Sequence, residues 1–279
     1  MAKIIKPFEQ FNLQQKIARK SITEFRPKIK DALQSDFNKA AQLVHHLGAQ
    51  QVLNNNKSFF DAKKINNILR TLYESVGGYT GMHYQKIFDK YKKADNVVFD
   101  NQQIANDWLA FMLSYWTAYS GPKMYGIQNT TDSEIARLLQ QAISYGQANN
   151  LSTNEVNSMA IKLLKDGTIN NLRSLLIART ESHQALSTGA RGAAQKVNIP
   201  LLKQWVAAEY PTKSGQPRYW HQSLDRQTNP DTKGVRLPID QPFMVDTPKY
   251  GIIEMQYAHD ASGGAVNNCN CRCCTVYVD

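Results

Sequence analysis

Apolar and polar positions alternate with helical spacing over most of the first 200 residues. The clearest case follows Asp100, where large apolar side chains recur every three or four residues and form one wide face. The members of this face are Trp108, Phe111, Met112, Tyr115, Trp116 and Tyr119. The spacing predicts a core helix. Because Trp and Tyr are also enriched at protein interfaces, an interface with another protein is the alternative.

Polar residues three apart predict where several helices begin. The spacing of a capping box, in which two side chains satisfy free N–H groups of the first turn, occurs at Asp100 with Gln103, Thr131 with Glu134 and Ser152 with Glu155. Thr168 is expected to cap a fourth helix that runs to about Lys196. Further helices are predicted over residues 10–54 and 61–75.

Glycine, proline and asparagine pairs predict where the helices end. We expect the helix after Asp100 to stop at Gly121-Pro122 and the next ones at Asn149-Asn150 and Asp166-Gly167. Gly77-Gly78 is expected to break the chain after the helix over residues 61–75.

The distribution of proline indicates a change in secondary structure near residue 199. Three prolines lie in residues 1–199 and seven in the remaining 80, a density that helices do not tolerate. The sequence therefore predicts an α+β protein, with a mostly helical N-terminal body and a small turn-rich C-terminal domain of short antiparallel strands. The expected regions are a basic helical region over residues 1–130, a second helical region over 131–199 and the small domain over 200–279. Residues 275–278, β-branched and aromatic, predict its closing strand.

The net charge of +10 is concentrated at one end of the chain. Residues 1–100 hold 17 basic and 9 acidic side chains, a balance of +8. A basic segment attracts polyanions through counterion release, so nucleic acid is a candidate partner, bound without sequence preference. A solvated helical surface that only aids solubility is the alternative.

Several functional classes lack their sequence signals. The sequence contains no run of about 18 apolar residues that would predict a membrane span, and no apolar signal-peptide segment follows the first lysines. A glycine-rich phosphate loop, a GxSxG elbow and an HExxH motif are also missing. We therefore expect a non-enzymatic protein that stays in the cell that makes it. His221 and Asp225, four residues apart, could alternatively belong to a nuclease or hydrolase.

All four cysteines fall within six residues, at positions 269, 271, 273 and 274. Such crowding does not suit disulfide geometry and favours a reducing compartment. Thiolates with a nearby histidine are the usual zinc ligands, so Cys269, Cys271 and Cys273 with His221 form a candidate metal site. Cysteines packed at the end of a strand, with no cofactor, are the alternative. In an extended segment Cys271 and Cys273 would share one face and Cys274 would face the other way.

A series of short segments in the second half of the chain resembles a known family. These segments are Ile177-Ala178-Arg179-Thr180-Glu181, then Trp205, then residues 218–225 (RYWHQSLD), then residues 237–243 (LPIDQPF), and finally Asn270-Cys271-Arg272-Cys273. Their order and approximate spacing resemble those of the phage Mu F-like minor head proteins, also called the phage head morphogenesis family. The resemblance covers about residues 130–279.

The resemblance assigns family positions to individual residues. Arg179, Thr180 and Glu181 match the helix motif, His221 matches the family histidine, and Cys271 and Cys273 match the terminal pair, with Trp205, Pro242 and Phe243 as further motif positions. Some relatives carry a CxxC upstream of the histidine that completes a zinc site. Residues 211–217 of this chain, in the corresponding region, contain no cysteine. Arg179 and Glu181 are two apart on a helix and are expected to contact different neighbours.

The resemblance implies a structural protein of a tailed bacteriophage. It implies a location inside the capsid of the virion, after assembly in the host cytoplasm, and contact with the portal protein, with other capsid or scaffold proteins and with packaged DNA. The implied roles are head assembly and the packaging or delivery of the genome. A cellular zinc and nucleic-acid binding module is the alternative.

Overall fold

The computed structural model describes residues 6–55, 57–91, 101–197, 199–208, 218–228 and 236–278. The predicted α+β class is confirmed, because a long helical part precedes short antiparallel strands. The helices are α1 (Pro7–Leu47), α2 (Ala49–Asn54), α3 (Ala62–Leu72), α4 (Gly78–Tyr91), α5 (Asn101–Ala148), α6 (Thr153–Lys165), α7 (Thr168–Lys196), α8 (Tyr219–Thr228) and α9 (Gly264–Asn268). The strands are β1 (Leu202–Val206), β2 (Leu237–Pro238), β3 (Phe243–Thr247), β4 (Gly251–Met255) and β5 (Cys274–Val278).

The chain divides into two compact units. The first unit comprises residues 1–24, 70–116 and 176–279, and the second comprises residues 25–69 and 117–175. Each unit is therefore assembled from separated stretches, whereas the division expected from the sequence used consecutive ranges. Helices α1, α3, α5 and α7 contribute residues to both units. In the part of the chain that the structure describes, none of the helices is long and apolar enough to cross a membrane.

The prediction that Gly121-Pro122 ends a helix is wrong, because α5 continues through Pro122 to Ala148. A proline inside a helix removes one hydrogen bond but does not prevent the flanking turns from packing. The prediction that Thr131 caps a new helix is wrong for the same reason. Thr131 is a buried residue within α5, and its hydroxyl donates to the Ile127 carbonyl at 2.7 Å.

The predicted break at Gly77-Gly78 is also wrong. A π-helical turn over Tyr73–Gly77 joins α3 to α4 without a break. Gly77 serves close packing within the first unit instead. A methyl group on Gly189 of α7 would lie 2.2 Å from the Gly77 carbonyl oxygen, so the two backbones approach at a distance that only glycine allows.

Other helix boundaries agree with the sequence. Ser152 and Glu155 form the predicted capping box. Asn150 and Gly167 end α5 and α6 in left-handed conformations, with φ of 53° and 71°. The predicted single helix over residues 10–54 is divided at Gly48, whose φ is 87°. The capping box predicted at Asp100 lies outside the described residues.

The aromatic face of α5 is mainly a core face. Trp108, Met112 and Trp116 are buried, as the core interpretation predicts. Phe111 and Tyr119 are 39% and 43% exposed, which leaves surface on the same helix for a partner.

The strands of the first unit form two small antiparallel sheets. One has the order β2-β1-β5 and the other pairs β3 with β4. Strand β1 pairs with β5 from Leu202 with Val278 to Val206 with Cys274. The outer edge of β5 bonds to glutamine side chains of α1: Gln10 exchanges two hydrogen bonds with the Tyr277 backbone, and Gln14 donates to the Thr275 carbonyl. These amides cover a strand edge that would otherwise be open to another chain.

Candidate metal centre

The candidate site lies where α8, α9 and the segment before β5 meet in the first unit. Arg218 precedes α8 and its guanidinium donates to the Cys269 carbonyl at 2.8 Å. Trp220 in α8 donates from its indole nitrogen to Oδ1 of Asn267 at 2.9 Å. These bonds fix α8 against the turn that carries the cysteines, so the side chain of His221 is directed towards that turn.

Three potential ligand atoms converge there. The sulfurs of Cys271 and Cys273 lie 3.5 and 3.6 Å from Nδ1 of His221. All three residues are buried, and their ligand atoms lie within 4.8 Å of one another. A tetrahedral zinc ion, with Zn–S near 2.3 Å and Zn–N near 2.0 Å, holds sulfur and nitrogen ligands about 3.5 Å apart. The observed distances therefore fit zinc.

The hydrogen bonds of Asn267 determine the tautomer of His221. The Asn267 amide nitrogen donates to the Gly263 carbonyl at 3.1 Å, so its oxygen faces the histidine. Nε2 of His221 lies 3.1 Å from that oxygen and must donate to it. Nδ1 then carries the lone pair that faces the two sulfurs. A histidine whose second nitrogen is bonded in this way is the usual arrangement for a metal ligand.

The two thiols have opposite pKa shifts. The pKa of Cys271 is held well below its usual value mainly by the hydrogen bond from the Cys273 thiol, against the effect of burial. The pKa of Cys273 is raised by the hydrogen bond to Cys271 and by burial. The backbone N–H of Cys273 also donates to the Cys271 sulfur at 3.4 Å. Metal binding would displace the thiol protons of this hydrogen-bonded pair.

The helix motif of the sequence positions the cysteine turn. Asn270, between Cys269 and Cys271, has a left-handed φ of 58°. Its backbone N–H donates to the Thr180 hydroxyl at 3.0 Å, and its side-chain oxygen accepts from the Arg179 guanidinium. Two residues of α7 therefore stabilise the conformation that brings Cys271 and Cys273 together.

Glu181 points to a different neighbour, as expected from its spacing to Arg179. Its carboxylate accepts a hydrogen bond from the Tyr73 hydroxyl at 2.8 Å, and both residues are buried. A charged acceptor in a buried site gives a stronger bond than a neutral one. Arg179 and Glu181 thus connect α7 to two separate parts of the first unit.

The remaining motif residues form the apolar wall of the site. Trp205 is fully buried, and its ring meets those of His221 and Phe243 edge-on at centroid distances of 5.1 and 5.3 Å. Pro242 directly precedes β3 and leads into Phe243, which is also fully buried. Together they exclude water from one side of the histidine ring.

The other two cysteines lie outside the three-ligand set. Cys269 is exposed at the end of α9, and the strand predicted to align it with Cys271 starts only at Cys274. Cys274 is buried and accepts from the Gln15 amide at 3.3 Å, consistent with the expectation that it faces away from Cys271 and Cys273. No disulfide joins the four cysteines, all of which are described.

Three residues near the site were not assigned from the sequence. Asn267 and the stacked pair of His183 and His259 are buried beside the cysteines. The pKa of His183 is lowered to about 3, mainly by burial and then by His259. From the sequence, His259 could be noted only as a second histidine in the same region as His221. Its contacts could not be predicted, because contacts over long sequence separations depend on the fold.

Comparisons with protein-family models, with curated proteins and with solved structures found no significant match for this chain.

Proposed function

We propose that this chain is a non-enzymatic minor head protein of a tailed bacteriophage, located inside the capsid, associated with the portal and active in head assembly and in packaging or delivery of the genome. Within it, His221, Cys271 and Cys273 would hold a structural zinc ion. The zinc would stabilise the turn-rich region formed by α8, α9 and the segment before β5.

One observation carries this proposal. The segments on which the family resemblance rests are separated by up to about 90 residues, yet they contact one another directly. Thr180 and Arg179 bind Asn270, and His221 contacts Cys271 and Cys273. Motif residues that contact one another across long sequence separations support a shared structural role and therefore the resemblance itself.

The burial of His221 supports a structural rather than a catalytic role. Its ring is 1% exposed, and both nitrogens face buried partners. A general base must reach a substrate proton directly or through one water. This position therefore favours metal binding over the nuclease or hydrolase alternative.

Portal association can be tested by co-expression with the portal protein encoded in the same genome, followed by size-exclusion chromatography. We expect co-elution, and we expect Tyr119→Ala on the exposed part of the aromatic face of α5 to weaken it. Tyr145→Ala is the control, because Tyr145 is 52% exposed on the same helix outside that face. Independent elution of the two proteins at micromolar concentrations would contradict the proposal.

Non-specific DNA contact is the second part of the proposal. Lys16, Arg19 and Lys20 are exposed on α1, and none of them forms an ion pair with another described residue. Exposed Lys and Arg side chains on one helix can contact DNA phosphates. For such contacts the log of the affinity falls linearly as the log of the salt concentration rises.

A matched pair of double variants tests this contact. We expect Lys16→Gln with Lys20→Gln to reduce DNA affinity and the salt slope, whereas Lys162→Gln with Lys165→Gln on α6 should change neither. Lys162 and Lys165 are equally exposed. Full DNA affinity in a chain that begins near Asn101 would place the contact elsewhere.

A further inference from the structure

The three-ligand set leaves one position of a structural zinc site to be filled. Structural zinc is almost always bound by four protein ligands, whereas sites with three protein ligands and a water are typically catalytic. His221, Cys271 and Cys273 supply three. The identity of the fourth ligand decides which kind of site this is.

His259 has an unused ligand atom next to the set. The residue is 1% exposed, and its Nε2 lies 3.2 Å from the Cys273 carbonyl oxygen. A carbonyl only accepts, so Nε2 carries the proton and Nδ1 carries a lone pair. Nδ1 is buried and has no hydrogen-bond partner within the described part of the chain. A buried polar atom without a partner costs about 1–3 kcal/mol, so its persistence calls for an explanation.

The surroundings of His259 constrain its backbone and the orientation of its ring. Its backbone has a left-handed φ of 70°, which is uncommon for a residue with a side chain. The preceding N–H, of Ala258, donates to the Thr275 hydroxyl at 2.8 Å. The His183 ring stacks on the His259 ring at a centroid distance of 5.2 Å and an interplanar angle of 13°. A strained conformation that the surroundings maintain is often found at functional sites.

We propose that His259 is the fourth ligand and supplies Nδ1, which completes a buried two-cysteine, two-histidine zinc centre. This inference rests on the proposed metal centre at His221, Cys271 and Cys273. His259 lies outside the set whose atoms are within 4.8 Å of one another, so its ring must move closer when the metal binds. The bond from Nε2 to the Cys273 carbonyl would then act as the second-shell bond for this ligand, as Asn267 does for His221.

Cobalt substitution of the full chain tests the assignment, because the visible spectrum of Co²⁺ reports its coordination number and its sulfur ligands. We expect the wild type to give the spectrum of a four-coordinate site and to be unchanged by added imidazole. Glycine tolerates the φ of 70° at position 259, so His259→Gly removes the ligand without straining the backbone. We expect the Co²⁺ affinity of this variant to fall by more than about 100-fold, which exceeds the usual cost of losing an outer-shell partner. Imidazole should restore the spectrum by entering the vacated position.

His183→Ala is the matched control, since it removes the other buried ring of the stacked pair. We expect it to change Co²⁺ affinity by no more than the outer-shell range of about 10–100-fold and to show no response to imidazole. Should His259→Gly fail to fold, His259→Asn keeps a side chain that tolerates a left-handed backbone and serves the same comparison.

Three outcomes overturn the inference. A wild-type spectrum that changes with imidazole would indicate an open fourth position, and a His259→Gly spectrum equal to the wild type would exclude His259 as a ligand. In both cases the centre at His221, Cys271 and Cys273 stands. If the wild type binds no Co²⁺ or Zn²⁺, the proposed metal centre fails together with the inference.

Discussion

The two units contain cores of different chemistry. The core of the second unit is entirely aliphatic and aromatic, with Phe37, Val44, Ile135, Leu139 and Leu164 among its buried members. The cluster around Trp205 in the first unit contains the thiols of Cys271 and Cys273, and a histidine ring packs against Trp205. Buried charged residues occur in both units, with Glu181 and Lys203 in the first and Asp36 in the second.

The difference follows from the elements available to each unit. The helices of the second unit offer continuous apolar faces, and burial of such surface contributes about 25 cal/mol per Å². The strands of the first unit are two to five residues long and form sheets of only two or three strands. A metal or a satisfied buried polar network can stabilise a region of such short strands. The first unit has the arrangement for both.

The largest effect of a single substitution is expected in the aliphatic core. Leu164→Ala removes a fully buried side chain of the second unit and should cost about 2–5 kcal/mol of unfolding free energy. Since no metal is involved, the loss should be the same with and without a chelator. Denaturant unfolding under both conditions measures it. A loss that depends on the chelator would break the distinction between the two cores.

The next effect concerns backbone packing in the first unit. In Gly189→Ala the new methyl would lie 2.2 Å from the Gly77 carbonyl, and neither backbone can yield without moving its helix. We expect a loss of about 1–3 kcal/mol or more, measured by thermal unfolding. Gly126→Ala is the control: nothing lies within 4 Å of that position, so alanine should stabilise α5 by up to about 1 kcal/mol. Equal effects of both variants would contradict the close packing.

A polar contact of the first unit should have a smaller effect. Gln10→Ala removes two hydrogen bonds, at 2.6 and 3.0 Å, from the Tyr277 backbone at the edge of β5. Leaving these groups unpaired should cost about 1–3 kcal/mol and raise the hydrogen exchange rate of the Tyr277 amide. Gln42→Ala, an exposed position on the same helix, should change neither. Unchanged hydrogen exchange at the Tyr277 amide in Gln10→Ala would show that the Gln10 side chain does not protect the edge of β5.

The smallest expected effect is a pH dependence of stability that is caused by the ionisation of Lys203. Burial, and then the positive charge of Arg191, lowers the pKa of Lys203 to about 7, while Asp260 and Asp240 oppose this shift. In the unfolded chain the Lys203 ammonium keeps its proton up to about pH 10.4. Between pH 7 and 10 the unfolded state therefore binds more protons than the folded state, and stability rises with pH. We expect the thermal midpoint to rise from pH 7 to 9 in the wild type relative to Lys203→Met. Parallel pH profiles of the two proteins would exclude a lowered pKa.

The sequence predicted those parts of the fold and site that depend on local chemistry. The sulfurs of Cys271 and Cys273, two residues apart, approach the same histidine nitrogen, and Ser152 caps α6 because its partner is three residues away. It failed at Pro122, where α5 continues through the proline although residues 121–130 are not buried, so one missing hydrogen bond did not end the helix. Asn267 could not be identified as the partner of His221, because their contact spans 46 residues. His259 likewise depends on a backbone conformation that its neighbours in the sequence do not predict.

The central claim is that a metal stabilises the first unit and not the second. The most direct measurement is metal analysis of the purified full chain, combined with site-resolved hydrogen exchange before and after chelation. We predict about one zinc per chain, none in the Cys271→Ser, Cys273→Ser double variant, and faster exchange after chelation at the Tyr277 amide but not at the Leu139 amide. A chain that contains no zinc and whose exchange is unchanged by the chelator at both amides would contradict the account.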